Sequence, residues 1–115
     1  MTYEQVKKLA MALEGVEEGT SYGTPALKVR EKLMARLWED GETLVLATTF
    51  EERDGLMADE GDTYFLTDHY LNYPWVLVRL KRARPEAMRE LLARAWTLAR
   101  AKKSKSTKSG KREKR

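Results

Sequence analysis

Residues 26–46 read ALKVREKLMARLWEDGETLVL. Leu27 and Val29 alternate with Lys28 and Arg30, the period of two that marks a half-buried strand. Glu31-Lys32 forms a turn, residues 33–38 form a second strand, and Glu39-Asp40-Gly41-Glu42 turns the chain again before Leu44-Val45-Leu46. Three short strands joined by two tight turns predict an antiparallel meander.

The flanks supply the other elements. Thr2 and Gln5 have the spacing of a capping box, and Val6, Leu9, Ala10 and Leu13 fall on one face of the helix that it starts. Gly15, Gly19, Gly23 and Pro25 predict an ordered loop over residues 14–25. Downstream, Thr49 and Glu52 repeat the capping-box pattern for a helix ending at Gly61. Tyr64-Phe65-Leu66 is a short strand, residues 68–74 are a polar, aromatic loop, and residues 75–80 are the clearest strand. Pro85 opens a last helix whose buried stripe runs through Met88, Leu91, Leu92, Ala95 and Leu98 or Ala99. The predicted fold is α+β, two layers with an antiparallel sheet, in the order α-β-β-β-α-β-β-α.

With 115 residues the chain is the size of one domain, and folding buries roughly 60–65% of its unfolded surface. Charged residues make up 35%, and no apolar run approaches the ~20 residues of a spanning helix. The first residues lack the basic and apolar pattern of a signal peptide, and there is no cysteine, hence no disulfide framework and no thiolate site. A soluble, cytoplasmic protein is expected. Residues 102–115 hold eight basic residues and one acidic (net +7), leaving 14 basic and 17 acidic residues in residues 1–101 (net −3). The overall +4 therefore belongs to the tail. That tail has no apolar residue and is expected to be disordered. The body, with one Asn, one Gln and many charges, has the composition of heat-adapted proteins, or of a genome rich in Arg and Ala codons.

Several stretches together resemble the MmcQ/YjbR family of small bacterial proteins: Leu13-Glu14-Gly15-Val16-Glu17-Glu18-Gly19, Tyr22-Gly23-Thr24-Pro25-Ala26-Leu27-Lys28-Val29, Lys32-Leu33-Met34-Ala35, Asp68-His69-Tyr70, Trp75-Val76-Leu77-Val78 and the closing helix through Ala95-Trp96. The resemblance covers about residues 3–100. It implies a fold similar to secretion chaperones and a DNA-binding role inferred from hairpin "double wings". Family members often carry a Tyr-His or His-rich run before the Trp strand. Here that run reads Asp68-His69-Tyr70-Leu71-Asn72-Tyr73-Pro74-Trp75, which implies a different partner if the loop binds one.

No catalytic constellation is visible. His69 stands alone beside Asp68, and neither a general base nor a zinc site has its further members at suitable spacing. Gly19-Thr20-Ser21-Tyr22-Gly23 lacks the lysine of a phosphate loop, and Glu17-Glu18 and Glu51-Glu52 are neighbours only in sequence. No enzyme activity, cofactor or metal is expected.

The cations carry the functional expectation. Lys28, Arg30 and Lys32, two residues apart, are expected on one side of a strand, with Arg36, Arg79 and Lys81 extending that surface towards phosphates. The opposing reading is a solvated face, since Glu31, Glu39, Asp40 and Glu42 lie close by. In the tail, Lys102, Lys103, Lys105, Lys108, Lys111 and Arg112 attract any polyanion, or serve only as a solubilising extension. Trp38, Tyr64, Tyr70, Tyr73 and Trp75 fit three roles: core packing, a protein interface, or stacking on unpaired bases. The expected function is a non-enzymatic DNA- or RNA-binding protein working mainly through phosphates. The alternative is a protein-interaction module or homodimer with no nucleic-acid role. No membrane attachment is expected.

Overall fold

The computed structural model describes the backbone of residues 1–105 and the side chains of residues 1–101. The elements run α1 (Tyr3–Met11), β1 (Val16–Ser21), β2 (Thr24–Val29), β3 (Lys32–Leu37), β4 (Thr43–Ala47), α2 (Phe50–Asp59), β5 (Tyr64–Phe65), a 3-10 turn (Asp68–Tyr70), β6 (Trp75–Arg79) and α3 (Pro85–Lys105). The strands form one sheet in the order β1-β2-β3-β4-β6-β5, each neighbouring pair antiparallel. No helix among the described residues is long and apolar enough to cross a membrane.

The expected order holds, with one strand added between α1 and the first expected strand. Residues 14–25 are not a loop: Val16–Ser21 pairs with β2 along its whole length. β1 is an edge strand that buries only Val16 and exposes Glu17, Glu18 and Thr20, so it lacks the apolar alternation that identifies strands in a sequence. The glycines mark its ends. Gly15 has φ +80°, and Tyr22 and Gly23 have φ +55° and +81°, the paired left-handed residues of a two-residue hairpin turn. Arg30 and Glu31 make the next turn the same way, at φ +53° and +67°.

One face of the sheet carries the main core. Leu27, Met34, Leu44, Leu46, Val76 and Val78 pack against Val6 and Ala10 of α1 and Met88, Leu92 and Ala95 of α3. Leu27 pairs with Ala35 but Lys28 with Leu33, which leaves Met34 as an extra residue in β3. That bulge turns both Met34 and Ala35 into the main core. Residues 66–74 cross the opposite face, where Tyr70 packs on Val45 and Leu77.

Both expected caps form, one of them incompletely. The Thr2 hydroxyl accepts from Gln5 N (3.2 Å) while Thr2 N donates to Gln5 Oε1 (2.9 Å). Thr49 likewise accepts from Glu52 N (3.1 Å). The Glu52 carboxylate, however, does not complete the box; it receives Thr48 Oγ1 and Arg94 NH1, which ties α2 to α3.

At the β3–β4 turn the Asp40 carboxylate accepts from Glu42 N (2.9 Å), Thr43 N (3.0 Å) and Thr43 Oγ1 (2.7 Å). Partial burial pushes its pKa up, but these bonds to the charged form outweigh that and hold it below the ordinary carboxylate value. A depressed folded pKa stabilises above the unfolded value of about 4 and loses that contribution as pH falls through the folded value. Asp40→Asn should therefore be less stable than wild type by a constant margin above about pH 5 and by a shrinking one below about pH 4. Urea midpoints measured from pH 7 to pH 2 check this, and a margin that never shrinks contradicts it.

Candidate nucleic-acid interface

Arg53 organises the second face of the sheet. It lies on α2 in helical register with Leu56 and Met57, both of which pack on the main core, and only 5% of it is exposed. Its guanidinium donates to the carbonyls of Tyr70 (3.3 Å), Leu71 (3.2 Å), Tyr73 (2.8 Å) and Trp75 (3.4 Å). One side chain thereby bonds four carbonyls, two of which (Tyr70 and Tyr73) also accept from the backbone N–H groups of Tyr73 and Trp75, and this fixes residues 70–75 against the sheet. Composition gave no reason to single out Arg53. The one signal was its helical spacing from Leu56 and Met57, which places a cation on a buried stripe.

Arg36 is the second buried cation, at 4% exposure. From the middle of β3 it donates NH1 to Thr24 Oγ1 (3.1 Å), the Leu37 carbonyl (3.4 Å) and Glu39 Oε2 (3.4 Å), and NH2 to Tyr70 Oη (2.9 Å). Burial works against its charge, yet the Tyr70 hydroxyl and the Glu39 carboxylate more than compensate and raise its pKa. The sequence expectation of a surface phosphate contact is corrected at this position. Arg36 pairs with Val45 on the face that residues 66–74 cover, so its head lies beneath them at the bottom of a cleft rather than on the open surface.

The remaining sheet cations do not form one surface. Cross-strand partners share a face, and the register pairs Lys28 with Leu33 but Lys32 with Val29. Lys28 and Lys32 thus sit on opposite faces, because the chain reverses at Arg30 and Glu31 between them. Lys28 also faces Glu17 across β1. Arg79 pairs with Thr43 at the other end of the sheet. There it lies over the Phe65 ring at 4.1 Å, and the neighbouring Lys81 pairs with Glu42 at 3.6 Å. The expected continuous stripe is two separate groups, each with carboxylates nearby.

The aromatics divide in the same way. Tyr64 and Tyr70 are buried, Trp38 and Trp75 are half-buried, and Tyr73 is 55% exposed. Tyr22, which sequence reasoning passed over, is 84% exposed at the β1–β2 turn, and its ring stands 5.2 Å from the Arg36 guanidinium carbon. Tyr22, Arg36, Tyr70, Tyr73 and Trp75 surround a cleft of about 310 Å³, with Leu33 and Val45 in its floor and the exposed His69 at its rim. His69 meets Tyr70 edge-on at 4.7 Å between ring centres. Among the described residues, no three His, Asp or Glu side chains come together as metal ligands.

Lys102, Lys103 and Lys105 fall within α3, which continues four residues past the expected end of the folded body. Lys108, Lys111 and Arg112, and the expected disorder around them, lie outside the described residues.

A family model described as YjbR matches residues 11–98. The chain belongs to the YjbR family. The fold agrees with this: a solved structure of Deinococcus radiodurans protein DR2400, a DUF419 domain, superposes with a TM-score of 0.75 over 92% of this chain and 83% of that one, at 21% identity. The uncharacterised proteins Rv2570 of Mycobacterium tuberculosis and Mb2600 of Mycobacterium bovis are each 44% identical over 43 residues. That match takes in 37% of this YjbR chain and 33% of each mycobacterial one, so it spans about a third of those relatives' length. The YjbR match ends at residue 98, before the basic segment begins.

Proposed function

We propose that this YjbR chain is a non-enzymatic, cytoplasmic nucleic-acid-binding protein whose affinity comes mainly from phosphates met by residues 102–115. The observation that carries this reading is the division of charge, +7 in those residues against −3 in residues 1–101. The backbone of α3 continues through Lys105, so the first of these cations are attached to a rigid helix packed on the sheet. Lys28, Arg30 and Lys32 are auxiliary contacts at one end of the sheet, and Arg79 and Lys81 are too far along it to join them. Contacts of this kind position a protein on nucleic acid without reading its sequence.

The test is a full-length variant carrying Lys102→Gln, Lys103→Gln, Lys105→Gln, Lys108→Gln, Lys111→Gln and Arg112→Gln. Its affinity for two duplexes of unrelated sequence, read by fluorescence anisotropy at low salt, should fall at least about 100-fold and by the same factor for both. Unchanged affinity for either duplex contradicts the reading.

A second reading, a homodimer without a nucleic-acid role, is supported by the exposed apolar side chains of Phe50, whose ring meets Arg53, and of Leu71 and Tyr73, whose carbonyls Arg53 bonds. It requires a concentration-dependent dimer in sedimentation that Phe50→Ser weakens. A monomer at every concentration contradicts it.

A further inference from the structure

We infer that the cleft between the β1–β2 turn and residues 69–75 is a pocket for one unpaired nucleobase. This deepens the nucleic-acid reading above and rests on it for the supply of single strands. Three features of the cleft point to a flat, neutral, hydrogen-bonding ring.

The cleft is lined by aromatic rings from two separate segments. Tyr22 is 84% exposed and has φ +55°, a conformation that a residue with a side chain adopts at a cost. One face of the ring meets the Arg36 guanidinium at 5.2 Å, and the rest of it faces solvent. Tyr73 and Trp75 line the same cleft from the segment whose carbonyls Arg53 holds at 2.8 and 3.4 Å. Accessible aromatic faces lining one cleft form a stacking site that tolerates any base.

The floor selects a base over a phosphate. Arg36 is the cation within the cleft, and Glu39 at 3.4 Å offsets its charge. Its NH1 already serves three acceptors, whereas NH2 donates only to Tyr70 Oη. The second NH2 hydrogen is suited to the carbonyl or ring-nitrogen acceptor of a base edge, as arginine is used elsewhere in base recognition. A doubly charged phosphate would meet Glu39 and a guanidinium already paired.

The size is that of one ring system. At about 310 Å³ the cleft is at the lower end of the roughly 300–1,000 Å³ of small-ligand sites. A second lobe of about 320 Å³ shares Tyr22, Arg36, His69 and Tyr70 and adds Trp38 and Glu39, which gives room for the attached sugar. Bases inside a duplex are already stacked and cannot enter, so the base comes from a single strand or from a free nucleotide.

The test uses full-length protein, its tryptophan fluorescence, and three probes: a 12-nucleotide oligo(dT) or oligo(dA), the matching duplex, and adenosine 5′-monophosphate. Tyr22→Gly removes the ring and relaxes the turn, so this variant should unfold at the same or a higher temperature than wild type. The single strand should quench Trp75 in wild type, and Tyr22→Gly should weaken single-strand binding about 5- to 100-fold while duplex affinity stays within twofold. Tyr73→Ala should act in the same direction. Quenching by the mononucleotide alone, lost in Tyr22→Gly, also supports the pocket and identifies a free nucleotide as its source. Quenching by the oligonucleotide alone supports the pocket with the strand as its source. If Tyr22→Gly matters but the six lysine and arginine substitutions do not, the pocket stands and the phosphate account falls. If those substitutions matter but a folded Tyr22→Gly binds single strands as wild type does, the pocket is overturned and the phosphate account stands. Absence of quenching by all three probes at low salt also overturns it.

Discussion

Arg53→Ala is expected to lower stability by about 2–4 kcal/mol, read as a shift in the urea midpoint with an unchanged slope. The substitution removes the Arg53 donor from the carbonyls of Tyr70, Leu71, Tyr73 and Trp75 in a segment packed on the sheet; Tyr70 and Tyr73 keep a backbone donor, from Tyr73 N (3.1 Å) and Trp75 N (2.8 Å), while Leu71 and Trp75 lose the guanidinium. Each buried acceptor left unpaired costs about 1–3 kcal/mol, reduced where water reaches it. Against a total of about 5–15 kcal/mol for a domain, that is a large fraction. Arg53→Lys should recover only part of it, because an ammonium has three donors at one point and cannot span four carbonyls. A midpoint within experimental error of wild type would show that residues 70–75 hold their place without Arg53.

Arg36→Met is the second large effect, and here two accounts of one residue make opposite predictions. As a surface phosphate contact, Arg36 would give up nucleic-acid affinity and little stability. As a buried cation bonded to Tyr70, Thr24 and Glu39, it should cost about 2–4 kcal/mol of stability, chiefly through the buried Tyr70 hydroxyl left without its partner. The salt dependence of duplex binding should stay as in wild type. A stable Arg36→Met protein with a shallower salt dependence would restore the surface reading.

These two arginines mark what the sequence made legible and what it hid. Leu27–Val29 was legible as a strand by its alternation, Leu44–Leu46 by a continuous apolar run between turn signals, and the helices by a 3.6-residue stripe. β1 was not, since an edge strand buries one residue in six and its glycines signal turns at either end. The α3 boundary was misplaced because lysines have good helix propensity and a packed helix extends past its last buried residue, Ala99. The candidate site suffered more. Arg36 and Arg53 were counted among the charges, although both are buried by residues 66–74, a segment whose course across the sheet leaves no local signature. The +7 of residues 102–115 needed no fold to be seen. The cleft required Tyr22 and Tyr73, 51 residues apart in the sequence, to be brought together by the hairpin and by Arg53.

The central claim, that phosphates supply the affinity, is tested most directly by the salt dependence of duplex binding. If six cations of residues 102–115 meet phosphates, log Kd of the full-length protein should rise with log salt at a slope of about 5, near 0.9 for each contact. The six-substitution variant, which keeps Lys114 and Arg115, should give a much shallower line over the same range. A flat line for the wild-type protein, or the same steep line for both, would contradict the account.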